Sequence, residues 1–151
     1  MSWKWPLIVL MLGLAAAGCG KMPPGDEALV KLVEKDLGLT GDPSASRFMR
    51  DAAVQQLPDN EKVSAMYNPS RALECTYLGT KVIKRGPVTQ EKNRASMPFR
   101  VQVKGRAVVN FLYSPNANPA NNQWVKRNVE FTVERDYIAQ TDPYGEWKVS
   151  S

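Results

Sequence analysis

Histidine is absent from the 151 residues. Without it neither a Ser-His-Asp triad nor a Cys-His pair can be assembled, and nearly all ordinary zinc sites are lost as well. Ser-x-x-Lys, the simplest serine–lysine hydrolase pattern, does not occur. Nor does a glycine-rich phosphate cradle or a calcium loop. Carboxylate pairs offer little. Glu130 and Glu134 share one face of an alternating segment, but four residues of strand set them about 13 Å apart, wider than glycosidase pairs. These gaps predict a non-enzyme with no cofactor and no metal ligands. No internal repeat is visible, and no apolar run reaches the length of a membrane-spanning helix.

What is present describes an ordinary globular chain. Hydrophobic content of 43% and charged content of 23% argue against wholesale disorder. The length fits one domain. A formal charge of +5 is mild and makes no case for nucleic-acid binding.

The amino-terminal residues carry the sharpest signal. Lys4 supplies a short positive n-region, residues 6–17 form an apolar h-region, and Ala16-Ala17-Gly18-Cys19 follows. This arrangement resembles the signal peptide and lipobox of bacterial lipoproteins, although Ala16 stands where Leu is commoner. The resemblance implies removal of residues 1–18 and lipidation of Cys19, including a palmitate-type chain on the new amine. Three acyl chains exceed the two signals that stable anchoring needs. Gly20 at the second mature position, in place of the Asp of inner-membrane retention, implies the outer membrane with the domain facing the periplasm. An uncleaved anchor and an ordinary cleaved signal are the alternatives. Residues 19–25, with two prolines and two glycines, read as a lipidated tether, and residues 26–151 as a single periplasmic domain.

Within that domain the hydrophobic period begins helical. Asp26 and Glu27 suit a helix start, Leu29, Leu32, Val33 and Leu37 form its apolar stripe, and Gly38 stops it. Asp42-Pro43 predicts a second helix, with Ala45, Phe48, Met49, Ala52, Ala53 and Gln56 or Leu57 on one face and Pro58 as its end. The period then changes to two. Leu73, Cys75 and Tyr77 alternate with Glu74 and Thr76; Phe99, Val101 and Val103 alternate with polar neighbours. Gly105 predicts a phase-shifting bulge before Ala107, Val109, Phe111 and Tyr113. Val125, Val129, Phe131 and Val133 oppose Lys126, Asn128, Glu130 and Glu134. Asp142-Pro-Tyr-Gly145 reads as a turn into a strand with Trp147 and Val149. Residues 86–96 and the asparagine-rich 114–122 read as loops. Cys75, in step with Leu73 and Tyr77, reads as an inert core thiol, the sharper alternative being a disulfide to another chain.

The expected fold class is α+β, with N-terminal helices packed on a curved antiparallel sheet of about four strands. The closing Asp-x-x-Gly-x-Trp-x-Val, behind such helices, resembles the last hairpin of nuclear-transport-factor-2-like and cystatin-like domains. That resemblance implies a cone with room for a cavity, and no particular function.

Charge is unevenly placed. Between Asp26 and Glu61 acids outnumber bases, whereas between Lys81 and Arg106 Glu91 is the one acid among many bases. Lys84, Arg85, Lys92, Arg94 and Arg100 are the candidate partner-binding residues, able to steer an acidic partner. Three functions follow as expectations: a membrane-anchored scaffold or protein-binding module that contacts another envelope protein, such as an accessory of a secretion assembly; an inhibitor or immunity lipoprotein whose 114–122 loop blocks a periplasmic toxin or lysozyme; and a small-ligand carrier.

Overall fold

The computed structural model describes residues 22–151; the leader, Cys19 and the start of the tether lie outside the described residues. The chain is α+β. Helices α1 (Asp26–Asp36), α2 (Arg47–Val54) and α3 (Asp59–Tyr67) precede strands β1 (Ser70–Arg85), β2 (Thr89–Glu91), β3 (Arg94–Tyr113), β4 (Gln123–Thr141) and β5 (Trp147–Ser150). All pairings are antiparallel, in the order β1-β3-β4-β5, with β2 folded back on β3. The helices pack on one sheet face. No described helix is long and apolar enough to cross a membrane.

α1 ends as its sequence suggests. Gly38 adopts φ +67°, and the amides of Gly38 and Leu39 return to the carbonyls of Lys35 and Glu34, a Schellman closure that buries Leu39. The predicted second helix divides. Asp42 caps a 3-10 turn over Pro43–Ala45, and α2 starts afresh from Ser46. The buried Ser46 Oγ accepts from Met49 N–H at 3.3 Å and donates to the Leu37 carbonyl at 2.7 Å, so one hydroxyl joins the end of α1 to the start of α2. α2 stops at Val54, although Leu57 beyond it is still buried.

β3 is the spine of the sheet. Its odd-numbered residues from Ala95 to Phe111 all face the helices. The expected bulge at Gly105 is absent: the β3–β4 register runs unbroken through Gly105↔Phe131. Glycine is there for space. A Cβ on Gly105 would collide with Phe131 Cζ and lie 2.9 Å from Met49 Cε. The Phe131 ring lies over this position and meets Phe48 edge-on. Phe99, Val101, Phe111 and Phe131 are buried as expected, and Trp147 is half-buried.

The irregularity falls instead in β1. Between Leu73 and Thr76 the register shifts around Glu74, which has φ +50°. Ala72 opposite Val109 therefore faces the helices, while Leu73 opposite Val108 faces away. The expected shared face of Leu73, Cys75 and Tyr77 is thus broken, and Cys75 packs half-buried at the core margin. Two tyrosines fasten α1 to the sheet: Tyr77 Oη donates to Glu34 Oε1 at 2.7 Å, and Tyr137 Oη to Asp36 Oδ2 at 3.0 Å.

Candidate functional site

The five basic candidates occupy three places. Lys84 and Arg100 are cross-strand neighbours on the sheet face away from the helices. Arg100 forks onto Asp136, 2.7 Å through Nε and 3.0 Å through Nη2, with Glu134 at 3.9 Å. Those hydrogen bonds hold the Asp136 carboxyl below its usual range and raise the guanidinium pKa. Arg85, one residue on, points to the helix side, reaching Asp26 at 2.8 Å and the Pro24 carbonyl at 2.7 Å. Lys92 and Arg94 lie at the exposed β2–β3 hairpin tip, Arg94 opposite Glu91. The sheet thus brings together Lys84 and Arg100. They border an open groove of about 700 Å³ whose apolar lining includes Pro87, Pro98 and Ile138.

A second feature was not visible in the hydrophobic period. α3 is inside out. Its inward residues are Glu61, Ser64 and Ala65, spaced as one helical face, whereas Val63, Met66 and Tyr67 are 56%, 55% and 82% exposed. The inversion has a local cause. Glu61, only 9% exposed, is held by Arg127 of β4, with Nη2–Oε1 at 2.7 Å and Nε within 3.2 Å of both carboxylate oxygens. These hydrogen bonds raise the Arg127 pKa. Ser70 Oγ donates to the Ala65 carbonyl at 2.6 Å, and Asn68 Nδ2 to the Leu112 carbonyl at 3.0 Å. Polar bonds thus seat the inward face that apolar side chains usually seat, and leave the apolar residues outward. The run Pro58-Asp59-Asn-Glu61 was the one sequence signal for this helix, a proline followed by acids in the first turn.

Segment 114–122 sits at the same end of the sheet, because it joins Tyr113 to Gln123, and Asn60 of α3 reaches Tyr113 Oη at 3.2 Å. The segment is two 3-10 turns, Pro115–Ala117 and Pro119–Asn121, and a Ser114–Asn122 side-chain hydrogen bond closes its base. Trp124, the first residue but one of β4, is 59% exposed and opposite Leu112. Tether and α3 lie at opposite ends: Pro24 meets Arg85, which pairs with Phe99, whereas α3 adjoins Ser70, which pairs with Phe111. Twelve residues of β3 separate those levels, about 40 Å. No protein-family model matches the chain, and no curated protein matches it at a significant level.

Proposed function

We propose that the chain is a lipid-anchored, non-enzymatic protein-binding module of the bacterial envelope. It is held through Cys19 at the periplasmic face of the outer membrane and engages another envelope protein with the exposed face of α3. One observation carries the reading: a helix that buries Glu61 and Ser64 while offering Val63, Met66 and Tyr67 to solvent has a face suited to a partner. The lipobox-like Ala16-Ala17-Gly18-Cys19 supports the anchor. The helices preceding a long-stranded sheet with a closing hairpin support kinship with nuclear-transport-factor-2-like or cystatin-like domains, whose scaffolds serve binding as readily as catalysis.

The test is capture of the intact lipoprotein from envelope membranes, read by mass spectrometry, against Met66→Ala/Tyr67→Ala. A partner held by the parent chain and lost from the double variant, with the melting temperature changed little, is the expected result. Unchanged capture by the double variant refutes the α3 surface. A second reading, a plug that enters a partner's cleft, rests on the compact 114–122 segment, exposed over residues 118–122. Replacing it with glycine and serine while keeping α3 then abolishes binding.

A further inference from the structure

The tether leaves the domain at one end of the sheet, and its reach is short. Pro24 is fixed there: its carbonyl accepts from Arg85 Nη2 at 2.7 Å, while Arg85 Nη1 meets Asp26 at 2.8 Å. Five residues separate Cys19 from Pro24, at most about 17 Å of chain. Arg85 pairs with Phe99, and β3 begins five residues beyond that level, at Arg94, again about 17 Å. Reach and overhang are equal. A domain anchored at Cys19, with its strands along the membrane normal, therefore brings its overhanging tips to the lipid surface. Any shorter path of the tether presses them into it.

Two turns form those tips. One is the β2–β3 hairpin, with Lys92 and Asn93 at its end; the other is the β4–β5 turn, which follows Thr141 at the level of Ala95. Tyr144 on the second turn is 89% exposed, and Met22 of the tether, Val88 and Ile138 are exposed as well. A tyrosine, apolar in its ring and polar at its hydroxyl, suits the boundary between lipid and water. Several acids near these tips already have partners: Arg85 holds Asp26, Lys31 holds Glu27, Arg100 holds Asp136 and Lys148 holds Asp142. On the hairpin side this leaves Lys84, Lys92 and Arg94 without an ion pair among the described residues, against Glu91. On the other turn Glu146 is exposed.

We infer that the two tips are a membrane-contact surface. Tyr144 and Val88 seat in the headgroup layer of the bilayer that holds the anchor, and Lys84, Lys92 and Arg94 bind the phosphates of anionic phospholipids there. The inference rests on the lipid-anchored reading of Cys19. A lysine or arginine close to an anionic surface strengthens binding about fivefold. Contact at this end leaves α3 and segment 114–122 at the far end of the sheet, open to a protein partner.

The test places the intact lipoprotein in vesicles of equimolar phosphatidylcholine and phosphatidylglycerol, or of phosphatidylcholine alone. A polarity-sensitive nitrobenzoxadiazole label is attached at Tyr144→Cys or, at the far end, at Asn121→Cys. Each is made in a Cys75→Ser background that melts with the parent. On vesicles with phosphatidylglycerol the label at 144 should shift to the blue and be quenched by nitroxide-headgroup lipid; the label at 121 should do neither. Lys92→Gln with Arg94→Gln should lower the ratio of docked to undocked chains about twentyfold, with an unchanged melting temperature. A label at 144 that stays in water on these vesicles overturns the proposal. So does equal quenching at 121, equal docking on phosphatidylcholine alone, or full docking of the double variant. Flotation with phosphatidylcholine vesicles in high salt reports the anchor by itself. A chain that floats there while its 144 label stays in water on both kinds of vesicle overturns docking and keeps the anchor. One that fails to float there, yet docks on phosphatidylglycerol, supports docking and overturns the anchor.

Discussion

At the scale of single residues, the interior is set by one missing side chain. Gly105 leaves the volume that the Phe131 ring fills, so the two positions should fail in complementary ways. Phe131→Ala removes a buried ring that contacts Phe48 and should cost about 3–5 kcal/mol in chemical denaturation. Gly105→Ala adds a methyl where the ring and Met49 already meet and should cost about 1–3 kcal/mol. Calorimetry of both variants and their combination would show partial compensation, because the added methyl meets no ring in the double variant. The sequence signalled that Gly105 was special but not why. A glycine within an alternating run fits a bulge and a close approach equally well, and the ring that decides between them comes from another strand.

Tyr77 and Tyr137 should set the alkaline limit of stability. Burial, chiefly, raises the Tyr77 phenol to about 12, Thr80 opposing and Glu34 adding to the rise. Burial and Asp36 raise Tyr137 further. A phenol that keeps its proton longer when folded contributes stability that is complete below about pH 10, the ordinary value, and lost as pH rises through the folded value. Thermal stability should therefore fall between pH 10 and about 12. Absorbance titration should show these two phenols ionising together with unfolding. Tyr77→Phe should flatten the fall.

At the scale of elements, legibility followed the side chains that seat each one. α1 was readable because its stripe, its acidic start and its glycine stop agree. The strands were readable wherever an apolar residue recurs every second position. α3 was not, since its inward stripe is Glu61, Ser64 and Ala65, and a tertiary contact from Arg127 across the fold decides its orientation. β2 escaped too, for its three residues are all exposed and carry no alternation. The division of the second helix was half-visible: Asp42-Pro43 starts a turn, but Ser46 is the cap. Ser46→Ala removes a buried hydroxyl with two partners and should cost about 1–2 kcal/mol, measured by urea denaturation. Ser46→Thr, which keeps the hydroxyl, should recover part of the loss. Of the basic candidates, composition could find the cluster but not its division among two sheet faces and a hairpin tip. Which of Lys84 and Arg85 takes which face is set by the β1 register shift between Val82 and Lys84.

At the scale of the whole molecule, the proposed anchor should be separable from the fold. Cys19 lies in a segment that precedes α1, and the core is built from Leu29 onward. Cys19→Ser should leave the melting temperature of the folded domain unchanged while abolishing lipid labelling and outer-membrane fractionation. Membrane fractionation with metabolic palmitate labelling checks it; normal maturation and labelling of the variant would refute the lipoprotein assignment. Phe99, level with the tether, and Phe111, level with α3, lie six residues either side of Gly105, the partner of Phe131.

That spacing has a geometric consequence for reach. Were the chain lipidated as proposed, a domain standing with its strands along the membrane normal would carry the α3 face about 40 Å further from the bilayer than Pro24. A domain lying flat would hold the two at one height. The angle between sheet and membrane would thus decide which partners the face meets, those beside the lipid surface or those well inside the periplasm.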